Sequence, residues 1–252
     1  YTPLPPMIIP RQFHATAVLG RKLFVMGGQD DGGTLASVEC LDLETGQRSA
    51  VAPMSRGHLL FAAAALGGKI FVTDLAGTEC FDPVTGAWTA LAPMNTPRYN
   101  HAMVSANGKL YVAGGCRGES LKSVECFDPT TRVWTTIAPM NEARYSLGLA
   151  VLGDKLYAIG GSVPSGQGLS SVECLDLSIS NGQWTPVASM TMARFAFEAV
   201  VAGGKIYAIG GLGGVDTRNS MECFDPNEGP QGQWTVTNES LEFARHATFD
   251  AL

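Results

Sequence analysis

The side chains of this 252-residue chain that could carry chemistry are six cysteines, four histidines and 23 acidic residues. A thiol can act as a nucleophile, a metal ligand or half of a disulfide, so the cysteines come first. Five of them stand in one recurring tetrapeptide: Glu39-Cys40-Leu41-Asp42, Glu79-Cys80-Phe81-Asp82, Glu125-Cys126-Phe127-Asp128, Glu173-Cys174-Leu175-Asp176 and Glu222-Cys223-Phe224-Asp225. Residues at one repeat position belong to successive structural units, and packed sheets lie about 10 Å apart. A disulfide needs Cα atoms within roughly 7 Å. These cysteines are therefore expected to be unpaired, small apolar core residues, which points to a reducing compartment, the cytoplasm. Cys116 is off this register and is expected nearer the surface. The histidines (His14, His58, His101, His246) show no metal-ligand spacing such as His-x₃-His. No nucleophile elbow, phosphate-cradling glycine loop or zinc signature occurs. The reading is therefore of no catalytic residues, no metal and no cofactor, with the recurring glutamates serving architecture before chemistry.

Such residues need elements to position them, and composition indicates which kind. Hydrophobic residues make up 45% of the chain, charged residues only 16%, and there are 30 glycines, a profile that suits many short strands joined by tight turns. The net charge is −6 and the 17 basic residues are scattered, so the basic stripe that a nucleic-acid binder uses to displace counterions is missing. No run approaches 18 apolar residues, so no membrane partner is expected. The opening Tyr1-Thr2-Pro3-Leu4-Pro5-Pro6 is not a signal peptide and suggests an excised segment.

The tetrapeptide is one of four marks that keep a fixed order. Tryptophans recur at Trp88, Trp134, Trp184 and Trp234; glycine doublets at Gly27-Gly28, Gly114-Gly115, Gly160-Gly161 and Gly210-Gly211; and Pro/Ser-Met at 53–54, 93–94, 139–140 and 189–190. The third copy shows the local pattern. His101–Ser105 leads to an Asn107-Gly108 hairpin turn, Lys109–Ala113 ends at the doublet, Ser123–Phe127 follows a polar loop, and Asp128–Arg132 turns into Val133–Ile137. Each copy thus predicts four short antiparallel strands, a to d, with sheets that bury their faces on neighbours. The copies span 8–54, 55–94, 95–140, 141–190 and 191–239. Residues 1–7 align with a d strand and 240–252 with an a strand, the complementary pieces of an incomplete sixth copy. A five-fold arrangement with spare end strands is the alternative.

Doublet, aromatic-Asp and tryptophan in this order resemble the Kelch repeat, and the resemblance covers essentially the whole chain. It implies an all-β Kelch β-propeller of four-stranded antiparallel blades, five complete plus parts of a sixth. Two copies depart from the family pattern: copy two carries Thr73-Asp74 in place of the doublet, and copy one has Gln47-Arg48 in place of the tryptophan. They are expected to be the least regular. Each d–a connection holds one arginine (Arg11, Arg56, Arg98, Arg144, Arg194, Arg245), followed by a variable residue: Gln12, Gly57, Tyr99, Tyr145, Phe195, His246. In BTB-Kelch substrate adaptors this point, and the residues after the doublet, line the partner pocket. The resemblance therefore implies a protein-binding face of Gln12, Tyr99, Asn100, Tyr145, Ser146, Phe195 and His246, with Gln29, Cys116, Arg117, Ser162 and Leu212 from the b–c loops. The partner it implies is a protein, a ubiquitination substrate in the leading reading. An actin-crosslinking Kelch protein of the scruin kind is the alternative. A Kelch-fold sugar-modifying enzyme is set aside because no copper-ligand and Tyr-Cys constellation is evident.

Overall fold

The computed structural model describes residues 4–213 and 219–240. The first copy opens with β1 (Ala15–Leu19) and β2 (Lys22–Met26). A small hairpin follows, β3 (Gln29–Asp30) and β4 (Gly33–Thr34), then β5 (Val38–Asp42) and β6 (Arg48–Val51). The second copy gives β7 (Ala62–Leu66), β8 (Lys69–Asp74), β9 (Gly77–Asp82) and β10 (Ala87–Leu91). The third gives β11 (Ala102–Ala106), β12 (Lys109–Ala113), β13 (Val124–Asp128) and β14 (Val133–Ile137). The fourth gives β15 (Gly148–Leu152), β16 (Lys155–Ile159), β17 (Val172–Asp176) and β18 (Thr185–Val187). The fifth gives β19 (Glu198–Ala202), β20 (Lys205–Ile209), β21 (Ser220–Asp225) and β22 (Gln233–Ser240). Each copy forms one four-stranded sheet in chain order. The predicted strands and turns are thus present in all five copies, including the second.

The chain falls into two compact units, Tyr1–Tyr99 with Ser105–Leu110 and Phe127–Trp134, and Asn100–Val104 with Tyr111–Cys126 and Thr135–Leu252. Alternation along the strands sets the core of each. In the first unit Phe24, Met26, Val38 and Cys40 of the first sheet pack with Phe61, Ile70, Val72 and Phe81 of the second. In the second unit Tyr157, Ile159, Val172 and Cys174 of the fourth sheet meet Phe197, Ile206, Ala208 and Phe224 of the fifth. Cys40 and Cys174 are therefore inter-sheet packing residues, and the six cysteines form no disulfide with one another. Burial pushes the Cys40 and Cys80 thiols above their ordinary value.

Three of the four tryptophans tie the fourth strand of their sheet to the preceding copy. The indole Nε1 of Trp88, Trp134 and Trp184 donates to the carbonyl of Ala52, Ala92 and Ala138 at 2.9, 3.0 and 2.8 Å. Arg48 fills this role in the first sheet: its Nε donates to Pro5 O at 2.9 Å. The missing tryptophan in copy one implies irregularity there; what occurs is a second donor type in the same place. Residues 4–7 form no strand, although Pro5 sits where the alignment with a d strand puts it. Residues 241–252, the expected a strand, lie outside the described residues.

Candidate functional site

The d–a connections are held by a buried ionic lattice. Arg194 Nη1 donates to Gly210 O at 2.8 Å and Ser220 O at 2.9 Å, and Nη2 to Ser220 Oγ and Glu222 Oε1. Arg144 makes the same set with Gly160, Ser171 and Glu173, and Arg11 with Gly27, Ser37 and Glu39. Glu39, Glu79, Glu173 and Glu222 also accept the backbone N–H of Ile8, Ser55, Asn141 and Thr191 respectively, in each case the residue after a methionine. One guanidinium therefore joins the end of strand b, the start of strand c and the incoming loop. Arg11, Arg144 and Arg194 and their glutamates are thus engaged in architecture, as the recurrence implied.

The glycine doublet makes room for this lattice. Gly160 and Gly161 have φ of +54° and +95°, a left-handed region that strains any residue with a Cβ. A Cβ on Gly160 would also lie 2.5 Å from Arg194 O.

The second sheet departs in a way that corrects the sequence reading. The lattice position there is His58, and Arg56 is two residues early. Three observations fix the register: Met54 precedes His58 by the same four residues that separate Met140 from Arg144; Gly28 N donates to His58 O as Gly115 N does to Arg144 O; and the left-handed residue two further on is Leu60, matching Phe13, Asn100, Ser146 and Ala196. The fully buried His58 places Nε2 2.9 Å from Glu79 Oε1 and Nδ1 2.9 Å from Asp74 Oδ2. Arg56 forks onto Asp74 at 2.6 Å. Burial works to raise the Asp74 carboxyl, but hydrogen bonds from His58 and Arg56 outweigh it and hold the group well below the usual range. Asp74 in place of a glycine thus supplies the acid that a second cation requires. The variable residue after the lattice position is then Leu59, not Gly57; Gly57 instead packs against Thr34.

The expected face residues come together in pairs. Gln12 bridges Gln29, Tyr145 bridges Ser162, and Phe195 bridges Leu212, each an antiparallel backbone pair between the d–a connection and the residue after the doublet. Tyr145 N and Ser162 N exchange bonds with each other's carbonyl at 3.0 and 2.8 Å. Partners in such a pair project from one side, so each bridge presents two side chains together. Gln12, Gln29, Tyr145, Phe195 and Leu212 are half-buried, as are Tyr99, Asn100, Cys116 and Ser146, and Arg117 is exposed. Ser146 N donates to Asn100 O, and Ala196 N to Ser146 O, so the backbone of Asn100 and Ser146 is structural. The Phe195 ring lies over Gly168 of the fourth sheet's b–c loop, 3.3 Å from where a Cβ would stand. Ser162 is a correction: it is wholly buried and its hydroxyl donates to Gln167 O at 3.0 Å, so it shapes the loop and is not open to a partner. His246 lies outside the described residues. Among the described residues, no group of three or more His, Cys, Asp or Glu could hold a metal ion.

The Kelch motif model matches residues 10–55, 97–141, 143–191 and 193–239, most of the chain. The chain belongs to the Kelch family. Its five sheets are the blades of a Kelch β-propeller, and the blade left unmatched is the second, where His58 and Asp74 replace the Kelch arginine and glycine. A solved structure described as that of YjhT superimposes with a TM-score of 0.81 at 16% identity, covering 97% of this chain and 88% of that one, a likeness of fold. No curated protein matches the chain.

Proposed function

We propose that this Kelch propeller recognises a protein and transforms no substrate, and that it serves as the substrate-binding part of a BTB-Kelch ubiquitin-ligase adaptor in the cytoplasm. The observation that carries the reading is the set of bridged pairs. The side chains left over once the ionic lattice is formed are variable, partly exposed and stand at the same end of their own sheets. Tyr145, Phe195 and Leu212 of the second unit, and Gln12, Gln29 and Leu59 of the first, present aromatic, aliphatic and amide groups of the kind that anchor protein interfaces. Six free thiols support a reducing compartment.

Affinity capture on the intact protein, repeated with Tyr99, Tyr145 and Phe195 all changed to Ala, tests the face. Loss of specific partners, with a cullin-type ligase component recovered by the full-length protein, is the expected result. Retention of every partner by the triple variant overturns the face. Co-sedimentation with filamentous actin that is abolished by the same triple variant replaces the adaptor reading with an actin-binding one.

A further inference from the structure

The bridged pairs of the fourth and fifth blades join into one continuous strip. Tyr145 bridges Ser162, and Ser162 in turn bridges Gly168 across its own loop. Gly168 lies under the Phe195 ring, and Phe195 and Leu212 exchange backbone hydrogen bonds at 2.9 and 2.8 Å. Ala196 N donates to Ser146 O at 2.8 Å, so the connections that carry Tyr145 and Phe195 run side by side. Backbone bonds thus fix the strip, and Tyr145, Phe195 and Leu212 stand half-buried along it.

The strip carries no charge. Residues 145–148, 162–168, 195–197 and 212–213 include no Asp, Glu, Lys, Arg or His. The arginines directly before Tyr145 and Phe195 are buried and engaged with Glu173 and Glu222 at 2.9 and 3.1 Å. The Ser162 hydroxyl is turned inward onto Gln167 O. A carboxylate or ammonium seated on this strip would lose its water and meet no counter-charge from it, which is strongly unfavourable. An aliphatic or aromatic side chain has no such penalty, and it removes its own apolar surface and that of two rings from water.

We propose, on the reading of this face as protein-binding, that the fourth and fifth blades take an uncharged peptide segment. One aliphatic or aromatic side chain of that segment seats against Tyr145, Phe195 and Leu212. Acidic and phosphorylated motifs are recognised by clusters of free arginines, and the strip offers none. Salt screens charge pairs and not apolar contacts, so binding here is nearly independent of ionic strength. A phosphate added beside the anchor would release the segment, because it brings a charge into an apolar contact.

The test is selection of a random peptide library displayed on phage against the intact protein, followed by calorimetric titration of a recovered peptide. The recovered peptides are expected to be rich in Leu, Ile, Phe or Trp and poor in charged residues. Affinity should change less than about twofold between about 0.1 and 1 M salt. Exchanging the peptide's anchor side chain for Glu should weaken binding by at least about tenfold. Leu212→Lys should invert the preference, admitting the Glu peptide and rejecting its parent. Leu212→Ala, which adds no charge, should weaken the parent about tenfold and gives a second reading if the lysine variant loses Tm. Recovered peptides with a charged anchor, or affinity that falls steeply with salt, overturn the uncharged partner while leaving the face in place. An unchanged preference in a folded Leu212→Lys overturns the placement of the anchor. Recovery of no peptide, or equal binding to the variant with Tyr99, Tyr145 and Phe195 all changed to Ala, overturns the face itself.

Discussion

Replacing Arg194 with Met tests whether the buried lattice holds the blades together. Arg194 and Glu222 are both fully buried, and the guanidinium donates five hydrogen bonds, two of them to the carbonyls of Gly210 and Ser220. Methionine fills much of the same volume but donates nothing. Glu222 then keeps only the backbone N–H groups of Thr191 and Met192, and a carboxylate is stranded without a cation. Breaking a buried pair by removing one partner costs about 3–5 kcal/mol, and the two orphaned carbonyls place this case near the middle, at about 4 kcal/mol. Adding Glu222→Gln removes the stranded charge while an amide oxygen still accepts from Thr191, so the double variant should recover about 2 kcal/mol. Urea unfolding at neutral pH measures both, and hydrogen exchange at the Thr191 and Met192 amides reports the loop directly. Arg21→Ala is the control: its pair with Glu44 is mostly exposed on both sides and should change stability by less than about 0.5 kcal/mol. A loss below about 1 kcal/mol for Arg194→Met, or a double variant no better than the single one, would refute the reasoning.

The other perturbations separate backbone, charge and thiol. Gly203→Ala meets only left-handed strain, with no atom near its Cβ, and should cost about 1–2 kcal/mol. Gly160→Ala adds a collision with Arg194 O and should cost clearly more by thermal unfolding; equal costs would show that the doublet serves conformation alone. Asp74 has its folded value depressed, so its stabilising contribution is complete above the ordinary value of 3.8 and declines as pH falls toward the folded one. The stability gap between wild type and Asp74→Asn should therefore be steady from pH 7 to about 4 and shrink on further acidification, and a gap that widens in acid contradicts the assignment. A thiol reagent on the native protein should label Cys116 and Cys223, which are half-buried, and reach the other four only after denaturation; rapid labelling of Cys40 or Cys174 would place the recurring cysteine outside the core.

Much of this fold is legible in the residues because the repeat reuses a few interactions whose residue types are hard to replace. A left-handed doublet pressed against a carbonyl requires glycine, and a buried indole that must reach the preceding sheet leaves tryptophans at regular intervals. The exceptions are the positions where a different residue satisfies the same interaction. Arg48 reads as a lost tryptophan, yet its Nε reaches Pro5 O as an indole would. In copy two the residue identity points to Arg56, whereas the four-residue spacing from Met54 points to His58. Only the carboxylate geometry shows that His58 stands in the lattice and that Asp74 compensates the arginine left outside it. Ser162 misleads for a related reason: its position after the doublet implied access, while a turn-back of the loop to Gln167 buries it.

These substitutions also indicate where selection for binding can act. A lattice arginine cannot change alone without stranding a glutamate, and in the second blade the cation and the glycine differ together, as His58 and Asp74, while Glu79 stays in place. The residue immediately after carries no such coupling: Gln12, Leu59, Tyr99, Tyr145 and Phe195 differ freely while the backbone bridge beneath Gln12, Tyr145 and Phe195 persists. The chain thus couples the most constrained positions to the least constrained ones at adjacent residues. Variation at the outer member of each pair alters what the face contacts while the buried ion pair holds its place.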